Sequence, residues 1–258
     1  MSGAVQPLRL HCIGCRVMAR ELRAAAAASP HSIRLEFLPM SLHAMDAPVR
    51  RRRIEQTIAR AAAGPCDAIL LGFGLCGYAL EGLAAVSCRL VVPRVHDCIG
   101  LFFGGERRLD EYLRENPGTY FRTAGWLEDL RRPNDVRRFP GAKDTHVGLR
   151  YDEYAVRYGE DNARHLFEIL GQPTRHYSRL AYVRTGTASD APLERQAREE
   201  AERRAWSFET VEGDPSALGR FLAGDWREEE FLVVEPGHRI VATHDERVMD
   251  TVPDTGRG

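Results

Sequence analysis

Short apolar runs bounded by turn residues alternate, over the first hundred residues, with segments whose apolar positions recur at helical spacing. PLRLHCIG and SIRLEFLPM predict the first two strands, and CRVMARELRAAAAA between them predicts a helix of strong helix formers. APVRRRRIEQTIARAAAG predicts a second helix, with Pro48 suited to a first turn and Gly64 to a C-terminal stop. CDAILLGFG and SCRLVVPRV are continuous apolar runs, the pattern of strands covered on both faces.

The alternation breaks over residues 103–177. ERRLDEYLREN and ARHLFEILG predict helices around the glycine-punctuated PGTYFRTAGW, and RRPNDVRRFPGAKDT reads as an exposed loop. We expect a helical insertion there, between an N-terminal lobe at 1–102 and a C-terminal lobe at 178–248. In the second lobe RLAYVRTG, SFETVEGD and EEFLVVEPGHRIV predict strands, and PLERQAREEAERRAW and PSALGRFLAGDW predict helices. The expected fold class is α/β: two similar Rossmann-like α/β lobes with mainly parallel sheets. One continuous sheet is the alternative. Residues 249–258 are expected to form a disordered tail.

Charge then removes several function classes. Thirty-six Lys and Arg against 37 Asp and Glu give a net charge of −1, without the footprint of a nucleic-acid partner. No apolar run approaches bilayer length, so no membrane span is expected. The N-terminus carries neither a basic leader nor an apolar signal core, and the expected location is cytoplasmic. In that compartment the six cysteines point to metal or catalysis before disulfides. Lys143 is the only lysine, in the loop-like GAKDTH stretch, so Schiff-base and lysine-base mechanisms are set aside.

The cysteines differ in where they fall along the strands. Cys66 and Cys88 sit where strands begin, and Cys12 lies inside one; these are expected to be packing residues. Cys15, Cys76 and Cys98 lie past strand ends, and His43 follows the second strand. If the strands are parallel, all four face the sheet edge at which open α/β sheets bind ligands. Three thiolates with His43 or His96 suit a zinc site, and the same three cysteines suit an iron–sulfur cluster equally well. Cys12 and Cys15 form a CIGC sequence, so which of them faces the site stays open. His96 and Cys98 are alternate residues and share a face if that segment is extended. His96 and Asp97 are then the candidate catalytic pair, with Asp97 orienting His96 or ordering a turn. Glu21, on the helix after Cys15, is expected on a solvated face.

Gly72, Gly74 and Gly77 form GxGxxG after a buried strand, with Asp97 about twenty residues on, which superficially matches a dinucleotide fingerprint. Only a short helix fits between Gly77 and Ser87, and Cys76 stands where a pyrophosphate would approach. Gly74 and Gly77 are better read as glycines that bring the Cys76 thiol close to a bound group. Tyr120 and Trp126 could line or cap the cleft, or serve as core.

These segments also carry a likeness. CRVMAREL, a strand followed by LH, DAILLGFGLCG, LVVPRVHDC and ENPGTYFRTAGW resemble a prokaryotic domain-of-unknown-function family, number sixteen thirty-eight. VRYGEDNARHLFE, AYVRTG and FLAGDW…FLVVEPG extend the resemblance over almost the whole chain. It implies that Cys15, His43, Cys76, His96, Asp97 and Cys98 are the family's marked polar positions, and that Cys12, Cys66 and Cys88 are incidental. It further implies an association with corrinoid-dependent methyl transfer. The expectation is therefore a metal-binding protein acting on a small-molecule substrate, with zinc or an iron–sulfur cluster as cofactor. A corrinoid protein or a methyltransferase is the expected partner. A non-catalytic metallochaperone or corrinoid-handling protein, and a metal-free thiol enzyme, are the rivals.

Overall fold

The computed structural model of the chain describes residues 6–45, 47–131, 159, 160, 162, 176–187 and 190–256. The first strand, β1 (Arg9–Cys15), runs through a 3-10 turn into α1 (Ala19–Ala28) and β2 (Ser32–Leu38). A second 3-10 turn (Met40–Ala44) leads to α2 (Ala47–Ala62) and β3 (Ala68–Gly72), and β4 (Arg89–Pro93) follows. Then come α3 (Cys98–Phe102), α4 (Glu106–Glu115), β5 (Thr119–Thr123) and α5 (Ala124–Leu130). The rest is β6 (Arg179–Arg184), α6 (Ala191–Arg203), β7 (Ser207–Glu212), α7 (Ser216–Leu222), β8 (Phe231–Val234), β9 (His238–Ala242) and β10 (Met249–Pro253).

The fold is α/β, as the alternation predicts. Five strands form the main sheet in the order β2-β1-β3-β4-β8. The first four are parallel, and β8 closes the edge antiparallel to β4. β3 is buried along its whole length and β1 along all but Arg9, because helices cover both faces of a parallel sheet. The chain leaves β1 in one direction, to β2, and returns past it to β3. The strand order thus reverses between β1 and β3, the switch point at which open sheets form their ligand crevice.

A second parallel sheet, β5-β6-β7, has its own small core of Tyr120, Leu127, Leu180, Tyr182, Leu193 and neighbouring alanines. Its first strand comes from residues expected to be a helical insertion. TYFRT shows no polar-apolar alternation because it is covered on both faces. Its one charge, Arg122, is sequestered against Glu200 of α6 with contacts of 2.9 and 2.7 Å.

The expected C-terminal lobe is also divided. β6 and β7 belong to the second sheet, whereas β8 returns to the first. α7 packs on α1, and Ser29 Oγ donates to the Leu222 carbonyl at 2.6 Å. The tail reading of 249–258 is corrected as well. Val248 and Met249 are buried, and β10 pairs antiparallel with β9 from Met249 opposite Ala242 to Pro253 opposite His238. The Arg94 guanidinium holds this hairpin near β4, donating to the carbonyls of Glu228, Arg247 and Met249. The expected helix ARHLFEILG, Lys143 and nearly all of the expected loop RRPNDVRRFPGAKDT lie outside the described residues.

Candidate functional site

β1 delivers Cys15 to the rim of the main sheet. Cys12, three residues earlier, is enclosed in the strand interior; burial alone pushes its thiol up to about 12. Its Sγ lies 3.5 Å from where a Cβ on Gly72 would sit. Cys15 is raised to about 11, chiefly by burial and further by the Asp129 carboxylate, against the Val17 backbone and Arg16. The charge of Cys15 acts on both Cys76 and Cys98. Cys15, not Cys12, lines a small cavity together with Cys76.

The segment after β3 presents Cys76 on a left-handed turn: φ is +47° at Cys76, +63° at Gly77 and +63° at Tyr78. A residue with a Cβ held there costs about 1–3 kcal/mol and persists only where its surroundings enforce it. They do. Leu75 N donates to Val95 O at 3.0 Å and Cys76 N to His96 O at 2.8 Å. Arg50 donates to the Gly77 carbonyl at 3.0 Å. A Cβ on Gly74 would stand 2.6 Å from Val95 O and 2.9 Å from the Asp97 backbone, so this glycine permits two loops to touch. The glycines thus shape the Cys76 turn. No helix follows it: residues 73–88 run through turns and a single bridge from Ala84 to Arg239, unlike a dinucleotide-binding crossover.

Cys98 opens α3, and Asp97 caps that helix by accepting from Ile99 N at 2.8 Å. Burial raises the Cys98 thiol well above its ordinary range, with Cys15, Asp97 and Cys76 adding in that order. Cys76 is likewise raised by burial, then by Cys15 and Asp97. Three sulfurs from the ends of three adjacent strands therefore lie within one another's electrostatic field. Cys15 and Cys76 share a cavity of about 30 Å³ with His43, Arg50, Phe73 and Leu42, room for one water-sized group or ion. His43 reaches its rim from the second 3-10 turn and is otherwise exposed.

The structure separates His96 from Cys98. The extended geometry that would align them ends where α3 begins, leaving Cys98 buried and His96 exposed. His96 lines a larger cavity, about 830 Å³, with Glu106, Arg107, Arg108 and His244. Its backbone N–H donates to Glu106 at 2.9 Å, and burial raises that carboxyl. Asp97 orders the turn rather than His96. Tyr120 belongs to the second sheet's core, in ring contact with Tyr177 and Trp206 at 5.0 and 5.6 Å. Trp126 is half-buried against the main core, with Arg122 5.5 Å from its ring.

Three residues at the site carried no sequence signal that marked them: Asp129, Arg50 and Glu106. Asp129 sits on α5, whose Gly125 packs so closely on the turn after Cys15 that a Cβ would meet Val17 O at 1.9 Å. Its carboxylate accepts from Met40 N at 3.2 Å and from Arg16 at 3.4 Å. The second sheet's helix thereby packs against the turns that follow β1 and β2. Glu21 corrects another expectation: it is 2% exposed and accepts from Thr185 at 2.7 Å.

The donor chemistry suits a thiophilic metal, but the side chains do not form a finished shell. Among the described residues, no three His, Cys, Asp or Glu groups stand close enough together to hold an ion. Each cysteine has a single side-chain rotor, χ1, whose staggered wells place the sulfur in distinct positions. Closing a shell here therefore requires rotamer changes.

No curated protein and no solved structure matches the chain. One family model does, over residues 37–222. The matched range contains His43, Cys76, His96, Asp97 and Cys98 and begins after Cys15. It spans most of the chain, and the protein therefore belongs to the family described as Protein of unknown function (DUF1638).

Proposed function

We propose that Cys15, Cys76 and Cys98 bind a thiophilic metal ion, zinc before iron, and that the protein is a metal-dependent enzyme acting on a small molecule. The observation that carries this reading is the convergence of Cys15 and Cys76 on one ion-sized cavity, with Cys98 in electrostatic reach of both. The cavity lies at the switch point of the sheet, between β1 and β3. The strained backbone at Cys76 supports the same reading, since enforced strain clusters at functional positions.

The electrostatics separate this reading from a metal-free thiol enzyme. A nucleophilic cysteine needs a lowered pKa, whereas burial raises all three thiols here, and neighbouring thiols raise Cys76 and Cys98 further. A bound cation reverses that balance, because a coordinating thiol is deprotonated outright. In the proposed site the three cysteines hold the ion and His43 offers a fourth donor from the rim. Phe73, Leu42 and Ile54 keep bulk water out, and Asp129 anchors the turn after Cys15. Zinc bound there would lower the pKa of a coordinated thiol or water and present it as a nucleophile. That chemistry fits methyl transfer to a small thiol from a corrinoid-linked donor, an assignment drawn from the family resemblance. The cavity at His96, beside the Cys98 turn, is the proposed substrate space.

Metal analysis of protein prepared without oxygen tests the reading. Near-stoichiometric zinc supports it, and iron with acid-labile sulfide and broad visible absorbance moves it to a cluster on the same cysteines. Zinc and iron both under roughly a tenth of an equivalent would overturn it.

A further inference from the structure

Cys66 and Cys88 stand at the opposite edge of the main sheet from the thiol cavity. Each precedes a strand, and the register pairs Ala68 with Arg89, so both cysteines sit just outside the β3–β4 ladder. There the Cys66 and Cys88 sulfurs are 3.0 Å apart. Both side chains are half-exposed, and Cys88 lines an open cavity of about 660 Å³ with Ser87 and Arg239. A disulfide requires the sulfurs to close by only about 1 Å, to the usual bond length near 2.05 Å. The other four cysteines lack this combination: three are buried, and Cys76 is held in its strained turn.

We propose that Cys66 and Cys88 form a reversible intramolecular disulfide with a small-molecule disulfide such as oxidised glutathione as oxidant. One protein sulfur, as thiolate, attacks the glutathione disulfide, forms a mixed disulfide and releases one glutathione thiolate. The second protein thiol loses its proton and attacks the protein sulfur of that mixed bond, and a second glutathione thiolate leaves. Two protein thiols are oxidised and one glutathione disulfide is reduced to two glutathiones. The new bond closes a loop that contains Cys76 and its left-handed turn. The crossover carrying one of the three site cysteines is thereby tied at its base, while Cys15 and Cys98 remain untouched.

The chain provides a convenient assay. No Lys or Arg lies between residues 61 and 88, so trypsin releases Cys66, Cys76 and Cys88 in one peptide. Native protein is incubated with oxidised glutathione, denatured, alkylated and digested. The expected product is that peptide with Cys76 alkylated, two hydrogens lighter than its linear form, and without backbone fragments between residues 66 and 88. Dithiothreitol restores three alkylated cysteines. The oxidised protein melts higher than the reduced one by roughly 5–10 °C, the scale expected for a loop of this length, and Cys66→Ser abolishes both the link and the difference. Persistent glutathione adducts on Cys66 or Cys88 without ring closure, or a link that includes Cys76, would overturn the proposal. So would full alkylation of both cysteines after oxidation.

Discussion

The backbone N–H of Cys76 donates to the carbonyl of His96 at 2.8 Å, joining the turn after β3 to the loop that ends in Cys98. Gly74 sits beneath that bond, against Val95 and Asp97. Two of the three site cysteines are therefore positioned by one loop-to-loop contact, although neither sulfur takes part in it.

Gly74→Ala should break that contact. Its new Cβ meets backbone atoms, which cannot rotate away as a side chain can. A cost of about 1–3 kcal/mol is expected from the overpacking, read by denaturant unfolding, together with loss of metal loading. Unchanged stability and loading would show that the two loops are not locked together.

The cysteines should separate into classes when replaced singly. Cys76→Ser and Cys98→Ser are expected to abolish metal loading with little loss of stability. Cys12→Ser places a hydroxyl inside a buried strand and should cost about 1–3 kcal/mol while leaving metal content intact. Equal metal loss in all three variants, measured by elemental analysis, would mean that Cys12 shares the site.

Asp97 is assigned here to capping. Asp97→Ala should cost about 1 kcal/mol, and Asp97→Asn only a few tenths, because Asn caps equally well. If Asp97→Asn instead abolished activity while preserving stability, the carboxylate would be acting on substrate and not on the Ile99 amide.

Glu21 gives a pH signature. Burial raises its pKa, with Thr185 and Arg20 opposing. An acid whose folded pKa lies above its unfolded value favours the native state when protonated. That contribution is present at low pH and is lost as pH rises through the folded value. Relative to Glu21→Gln, the parent should therefore lose melting temperature as pH rises above the ordinary carboxylate range. A gap independent of pH would show that Glu21 titrates as an ordinary carboxylate.

Much of this architecture was legible in the chain, for physical reasons visible in particular segments. DAILLGFG and CRLVVPRV read as strands because a strand buried on both faces must be apolar throughout. Cys15, Cys76 and Cys98 were expected past strand ends; Cys15 is the last residue of β1, and Cys76 and Cys98 follow β3 and β4. β5 was not legible, since Arg122 is neutralised by Glu200 across 78 residues of sequence. Glu21 was misread for the same reason: its partner Thr185 is 164 residues away, and local pattern carries no trace of it. His96 and Cys98 were expected on one face because the start of α3 at Cys98 is not marked in VHDCIG. The capping role of Asp97 could have marked it, as an Asp before an apolar run is a helix-start signal.

The most direct test of the thiol site is metal and sulfide content of the protein purified without oxygen, compared with its Cys76→Ser variant. The account predicts close to one equivalent of zinc, or a cluster's iron and sulfide, in the parent and a trace in the variant. Equal and negligible metal in both would contradict it, leaving three thiols at the end of a parallel sheet.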